Sequence, residues 1–487
     1  MKIILLKPNF SAHKGFLGSN YFVLPNIGIG IIAAILSEEG HEVIIKDPVL
    51  EGMDLEDTVS FIVDNNIDIV GLTTVSMHYE GAIQLAREVK KRRQSTITIL
   101  GGPHFQGIGE ECLEKNSFLD YICVGEGDYL ISELIKCDFN IDCFSAISGL
   151  VYRDASGKVV SNGMGVTADL DKLPLPAYDN YPLPLSAYIP AVNNYKKLPT
   201  VAVMTSRGCP STCTYCQSSL FNKDVRYNSV EYVIDHLKFL IKNYGIKEVS
   251  FFDDIFTIKR SRVYELCDRM IEEGLNLTWI CFIKTNRIIT KDILKKMKSA
   301  GCWMVMPGIE SGSPEVLKTI GKQDIKLDTV VRVCRDAYDV GIQTRPTFML
   351  GNPGDTRETM KETMDFALSL PLLHVGVSYF TPLPGTSSWE HFSDYGTFDK
   401  ANYTALNHTA APTFIPHDLE VEDLEHEIEN FYSRFYFRFS WFFIFLRYLD
   451  IHEIKKLSPS VFIAMKLWVS RSKRKLSSVK QMLIASP

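Results

Sequence analysis

No apolar run in this chain reaches the ~18–20 residues that a membrane-spanning helix requires, although 46% of its 487 residues are hydrophobic. A secretory leader is also missing from view. Met1–Leu6 reads MKIILL and Lys7–Pro8 follows at once, too short for an apolar targeting core. The expected location is therefore the cytoplasm, where thiols stay reduced. The eleven cysteines then read as core residues, ligands or nucleophiles rather than disulfides. No sign of charge dominates the chain: the net value is −6, so the whole molecule offers no glove for nucleic acid and no such partner is expected. The balance is uneven, however. From Arg434 onward eleven Lys/Arg face two acids, giving this tail +9 and the remainder −15. The 46% hydrophobic and 23% charged fractions argue against a disordered tail protein or a collagen-like fibre, and no internal repeat or low-complexity tract is found.

What the sequence does contain is alternation. Between residues 1 and 137, short β-branched runs (Lys2–Leu6, Glu42–Lys46, Asp68–Thr74, Thr96–Leu100, Asp120–Val124) are separated by helical periods. Strand–helix alternation of this kind predicts a parallel, doubly wound α/β sheet of Rossmann or flavodoxin type. A hairpin turning at Asp154–Gly157 and a Pro-rich connector (LPLPAYDNYPLPL, 173–185) follow. A second series begins near Thr200. Its six strand–helix repeats predict a partial (β/α)6 barrel with its site at the carboxyl-terminal rim. From Glu420 the pattern turns helical, with an aromatic block at 431–449 and a basic end. The expected domains are thus 1–140, a hairpin and linker at 141–195, a barrel at 196–415 and a helical region at 416–487.

The sharpest motif is RGCPSTCTYCQ, which sets Cys209, Cys213 and Cys216 in a CxxxCxxC pattern just past the first strand of the second series. Three closely spaced thiolates on one loop suit an iron–sulfur cluster, whereas a tetrahedral zinc site wants a fourth Cys or His nearby. Three ligands to a four-iron cluster leave one iron open.

CPSTCTYC resembles the cluster loop of the radical S-adenosylmethionine (SAM) superfamily, and further segments agree in order. FFDD (251–254) resembles the stretch contacting the SAM amino group, which implies roles for Asp253 and Asp254. GIESGSPEVL (308–317) resembles the ribose-contacting stretch, with Glu310 and Ser311. FMLGNPGDT (348–356) resembles the glycine-containing turn, with Gly351 and Gly354, and Tyr215 matches the aromatic that flanks the adenine. The resemblance implies a [4Fe-4S] cluster whose open iron binds SAM, and an electron donor of flavodoxin or ferredoxin type.

In the amino-terminal region, TTVSMH (73–78), GGPHF (101–105) and VGEGD (124–128) follow the third, fourth and fifth strands. Glycines there let backbone approach a ligand, and ligands in such sheets sit beyond the carboxyl ends of the strands. This combination resembles the cobalamin-binding domain fused to radical SAM barrels. It implies cobalamin contacts from Thr74, Ser76, Gly101, Gly102, His104, Gly125, Glu126 and Gly127. Many cobalamin enzymes supply an axial histidine from a DxHxxG motif. Here the region reads NFSAHKG, and His13 lacks both the Asp and the spacing. Cobalamin bound without protein imidazole is therefore expected.

The resemblance implies a cobalamin-dependent radical SAM enzyme, foremost a methyltransferase acting on an unactivated carbon or phosphorus centre. An oxidative cyclase or rearrangement enzyme is the alternative, and a non-catalytic corrinoid carrier or sensor is the alternative of another class. The carboxyl edges of the two sheets should then face each other across the substrate, a small or lipid-derived molecule. The tail is expected to close the barrel rather than sit on a membrane, with Arg434, Arg438 and Arg447 forming a polar stripe and the remaining face packed inward.

Overall fold

A computed structural model describes residues 1–8, 24–191, 194–220, 224–409 and 411–448. His13 and most of the basic tail lie outside the described residues. The first sheet contains β1 (Lys2–Leu6), β2 (Glu42–Lys46), β3 (Ile69–Thr73), β4 (Ile97–Gly101), β5 (Tyr121–Cys123), β6 (Leu150–Arg153) and β7 (Val159–Ser161). Its order is β2-β1-β3-β4-β5-β6-β7. The first five strands run parallel, and the expected hairpin β6–β7 adds two antiparallel strands at the edge. Successive side chains of the apolar runs point to opposite faces, so each strand buries two rows. Ile3, Leu5, Ile69 and Ile99 pack with Ala33, Leu36 and Leu130 on one face. Ile4, Leu6, Val70 and Leu72 pack with Val59, Ile62, Leu85 and Val89 on the other. This is the doubly wound, flavodoxin-like arrangement that alternation predicts.

The connector after the hairpin is packed. Tyr178 shares a 2.8 Å hydrogen bond with His236 on a helix of the second half. Tyr181 donates 2.7 Å to the Asn26 carbonyl in the first half. One apolar core therefore runs through both halves of the chain.

The second half contains β8 (Thr200–Val203), β9 (Ser206–Arg207), β10 (Arg226–Tyr227), β11 (Glu248–Phe251), β12 (Thr278–Ile283), β13 (Cys302–Glu310), β14 (Gln343–Thr344), β15 (Thr347–Leu350), β16 (Gly376–Tyr379), β17 (Gly396–Phe398) and β18 (Phe414–Pro416). Its main sheet runs β16-β15-β13-β12-β11-β8, all parallel, and curls into a half-barrel. The sequence pattern predicts one strand over Gln343–Leu350. Pro346 divides it, because proline has no N–H to give the ladder. As a result β14 pairs the first part of β13 and β15 the last. The antiparallel pair β17–β18 is not foreseen by the sequence pattern.

Helix Val421–Tyr436 sinks Leu424, Phe431 and Phe435 into the cluster that holds Phe348, Leu350 and Val377, so this part of the tail covers the barrel as expected. The next helix, Phe439–Tyr448, departs from the expectation. Arg438 and Arg447 turn inward, donating to the Leu372 (2.6 Å) and Tyr338 (3.0 Å) carbonyls, while Phe439, Phe442 and Phe443 face out. Exposed carbonyls of the barrel helices need donors, and long arginine side chains reach them. Among the described residues no helix is long and apolar enough to cross a membrane.

Candidate active site

The carboxyl ends of the two sheets face one another across a cavity of about 430 Å³. The first sheet contributes Leu5, Thr73, Ile99 and the glycines after β4 and β5. The second contributes Met204, Arg207 and Gly208 after β8, and Phe252 and Asp254 after β11. Of the residues matched to cobalamin contacts, Gly101, Gly102, Gly125, Glu126 and Gly127 line this cavity. Thr74, Ser76 and His104 do not. They sit behind it, where His104 Nδ1 lies 3.0 Å from Ser76 Oγ and the ring is wedged against Tyr79 and Tyr403. Burial lowers the His104 pKa to about 3, so the imidazole is neutral. Gly102 is dictated by the chain itself. Its φ is +104°, and a Cβ there would meet the Thr74 backbone at 2.7 Å.

The cysteine loop is pinned by two segments of the barrel, Ile320 and the stretch 384–388. Thr214 N donates to the Ile320 carbonyl (3.1 Å), Ser388 N to the Thr214 carbonyl (2.9 Å), and Gln217 Nε2 to the Pro384 carbonyl (3.1 Å). Cys209 and Cys213 are buried and Cys216 half-buried. Burial raises the pKa of Cys213, while Lys322 and Lys284 draw it back down and the neighbouring Cys216 and Cys209 oppose them. As the side chains stand, no three His, Cys, Asp or Glu among the described residues converge tightly enough to hold a metal ion. All three thiols nonetheless share one loop, with two cations beside it. Lys284 Nζ donates to Ser211 Oγ within that loop at 2.8 Å. The donor set and its positive surroundings fit an anionic iron–sulfur cluster.

The two aspartates of FFDD divide. Asp253 is fully buried and accepts from Thr205 N (2.5 Å), Thr205 Oγ1 (2.6 Å) and Ser206 N (3.1 Å), so it holds the strand end that launches the cysteine loop. Asp254 lines the cavity and accepts from Ser218 Oγ at 3.0 Å. Burial raises its pKa, the Ser218 hydrogen bond opposes that, and Asp253 adds to it.

Glu310 ends β13 in a left-handed backbone conformation, φ +71°. Its carboxylate accepts from Lys322 Nζ (2.9 Å) and Thr347 Oγ1 (3.3 Å). Lys322 also sits 5.9 Å over the Tyr215 ring. Burial pulls the lysine pKa down, but Glu310 and the neighbouring thiols outweigh it, and the ammonium is held charged. Ser311 Oγ is spent internally, 2.9 Å from Thr363 Oγ1 and accepting from Ser313 N. Gly351 and Gly354 shape the turn after β15, where a Cβ at Gly351 would press on Leu424.

A buried ion network ties the halves together at the cavity wall. Arg207 donates to both oxygens of Asp128 (2.6 and 3.1 Å). Arg226 donates to both oxygens of Glu126 (2.8 and 2.5 Å). Thr167 bridges the acids through its N–H and hydroxyl. Glu126 is thus paired with arginine at the cavity wall. The motifs gave no role to Arg207, Arg226, Lys284 or Lys322. The available signals were slight: Arg207 stands two residues before Cys209, and Lys322 lies twelve residues beyond Glu310.

Two family models match the chain, the radical SAM superfamily over residues 203–367 and the B12 binding domain over residues 14–135. An uncharacterized methyltransferase of Pyrococcus horikoshii is 34% identical over 396 residues, covering 80% of this chain and 83% of that protein. The anaerobic magnesium-protoporphyrin IX monomethyl ester cyclase of Rubrivivax gelatinosus is 25% identical over 447 residues, covering 90% and 77%. The solved structure of the cobalamin-dependent S-adenosylmethionine radical enzyme OxsB with aqua-cobalamin superposes with a TM-score of 0.70 at 17% identity, covering 99% of this chain and 75% of that one, and shows the shared fold. The chain belongs to the radical SAM superfamily, in the branch that carries an amino-terminal B12 binding domain. It is a radical SAM enzyme, and the cofactors of that branch are a [4Fe-4S] cluster, SAM and cobalamin.

Proposed function

We propose that this protein is a cobalamin-dependent radical SAM methyltransferase, and that Cys209, Cys213 and Cys216 ligate its cluster. The observation that carries the reading is the one cavity onto which the segment after β8, reaching Gly208 next to Cys209, and the glycine-edged ends of β4 and β5 both open. When bound, the cluster with SAM supplies a substrate radical and cobalamin supplies the methyl group. The chain's own share is placement and exclusion of water. An apolar floor of Leu5, Ile99, Leu130 and Ile131 with a glycine rim suits a flat macrocycle. Lys322, fixed by Glu310 beside Tyr215, offers a cation to the SAM carboxylate, and Asp254 offers an acceptor facing the cavity. In this reading residues 1–140 hold cobalamin and residues 196–415 hold the cluster and SAM.

The substrate is a small molecule, with a lipid-derived one included, and the electron donor is of flavodoxin or ferredoxin type. A cytoplasmic setting, where thiols stay reduced, suits cysteines that serve as cluster ligands. The test is anaerobic incubation of the reconstituted protein with metabolite extract and SAM carrying a trideuterated methyl group. A product heavier than its precursor by the labelled methyl supports the reading. A product of cyclised mass with no label overturns methyl transfer in favour of the cyclase chemistry named for the Rubrivivax relative.

A further inference from the structure

Helix Phe439–Tyr448 is amphipathic in the opposite sense from a helix that merely covers a core. Its hydrogen-bonding side chains face the barrel. Arg447 Nη2 donates to the Tyr338 carbonyl (3.0 Å), Trp441 Nε1 to the Leu373 carbonyl (3.0 Å) and Tyr448 OH to the Ile342 carbonyl (3.1 Å). Ile444 is buried among them. The outer face carries Phe439, Phe442, Phe443 and Leu446, which are 80, 52, 55 and 46% exposed. That spacing of i, i+3, i+4 and i+7 makes one continuous apolar stripe. Isolated exposed apolar residues are ordinary, but a contiguous aromatic stripe marks a surface built to be covered.

We propose that this stripe docks on the surface of an anionic phospholipid bilayer. The chain continues from the end of the helix into residues 449–487, which hold eight Lys/Arg against only Asp450 and Glu453, a net +6. Aromatics that enter the interface and cations tethered beside them are the two elements of peripheral binding to anionic lipid. A second copy of the chain in the same place would set one +6 segment against another. The contact is peripheral, since no helix among the described residues can span.

The test is co-sedimentation of the full-length protein with vesicles of equal parts phosphatidylglycerol and phosphatidylcholine, and with phosphatidylcholine alone. Binding is expected to the anionic vesicles, to weaken when salt is raised to about 1 M, where the Debye length is about 3 Å, and to fall at least about tenfold in Phe439→Glu/Phe442→Glu/Phe443→Glu. Because these rings are exposed, the variant should keep the wild-type melting temperature. Phe439→Ser/Phe442→Ser/Phe443→Ser, which adds no charge, should lose binding as well. Failure of the wild type to bind the anionic vesicles overturns the proposal. So does undiminished binding by both triple variants, or a concentration-dependent dimer, without vesicle binding, that the variants abolish.

Discussion

Arg207, two residues ahead of Cys209, grips Asp128 of the amino-terminal domain through two hydrogen bonds of 2.6 and 3.1 Å. Both side chains are buried, at 14 and 5% exposure. The loop matched to cluster binding is thus tied directly to the segment that follows β5, so the two carboxyl edges keep one separation. Removing one partner strands the other charge, which costs about 3–5 kcal/mol. Urea unfolding of Arg207→Met and of Asp128→Leu should each show a loss of that order. The double variant should recover part of it in a double-mutant cycle. Additive losses would contradict the pairing.

A second contact between the halves is made by two glycines. A Cβ on Gly107 would stand 2.1 Å from Gly385 Cα. Gly107→Ala is therefore expected to destabilise by about 1–3 kcal/mol through overpacking. Gly376→Ala serves as the control, because its Cβ would meet Thr347 at 3.6 Å and the Pro346 carbonyl at 3.8 Å, both ordinary contacts, and it should stay within about 0.5 kcal/mol of wild type. Thermal denaturation of the two variants side by side decides the matter.

Lys322 and Glu310 form a buried pair against Tyr215. Lys322→Gln should weaken equilibrium SAM binding by at least about tenfold, one charge-assisted hydrogen bond's worth. Lys322→Arg, which keeps the cation, should restore most of it. Equal affinity in all three proteins would remove Lys322 from the SAM site.

Burial depresses the pKa of His104 to about 3 and that of His236 to about 4. Both are neutral when folded and take up a proton on unfolding below about 6.5. Their contribution to stability is therefore complete above that pH. It is lost as pH falls toward 4, at about 1.4 kcal/mol per pH unit for each histidine. Unfolding free energies measured across pH 7 to 4.5 should decline, and His104→Gln should show a shallower decline. An unchanged slope in that variant would show that His104 does not titrate on unfolding.

Much of the fold is legible in the sequence because strand and helix periods are local. The five parallel strands of the first sheet, the hairpin at Asp154–Gly157 and the five longer helices between the barrel strands lie where apolar spacing puts them. The break at Pro346 is a local signal that a reading of Gln343–Leu350 as one strand passes over. The site is legible only in part. The CxxxCxxC loop and Glu310 are visible as motifs, but the uses of neighbouring polar groups depend on partners far away in the chain. Asp253 turns inward to Thr205, Ser311 to Thr363 and Glu126 to Arg226 across the domain boundary. In the tail, the positions of Arg438 and Arg447 follow from barrel carbonyls that no periodicity within residues 431–449 encodes.

The central claim is that Cys209, Cys213 and Cys216 carry the cluster at which SAM is cleaved. Its most direct test is the iron content and 5′-deoxyadenosine yield of full-length protein, reconstituted without oxygen and incubated with SAM and a one-electron reductant. Wild type should hold about four irons per chain and form 5′-deoxyadenosine. The Cys209→Ala/Cys213→Ala/Cys216→Ala protein should do neither while still taking up cobalamin. About four irons retained in the triple variant, or an undiminished yield of 5′-deoxyadenosine, would contradict the assignment.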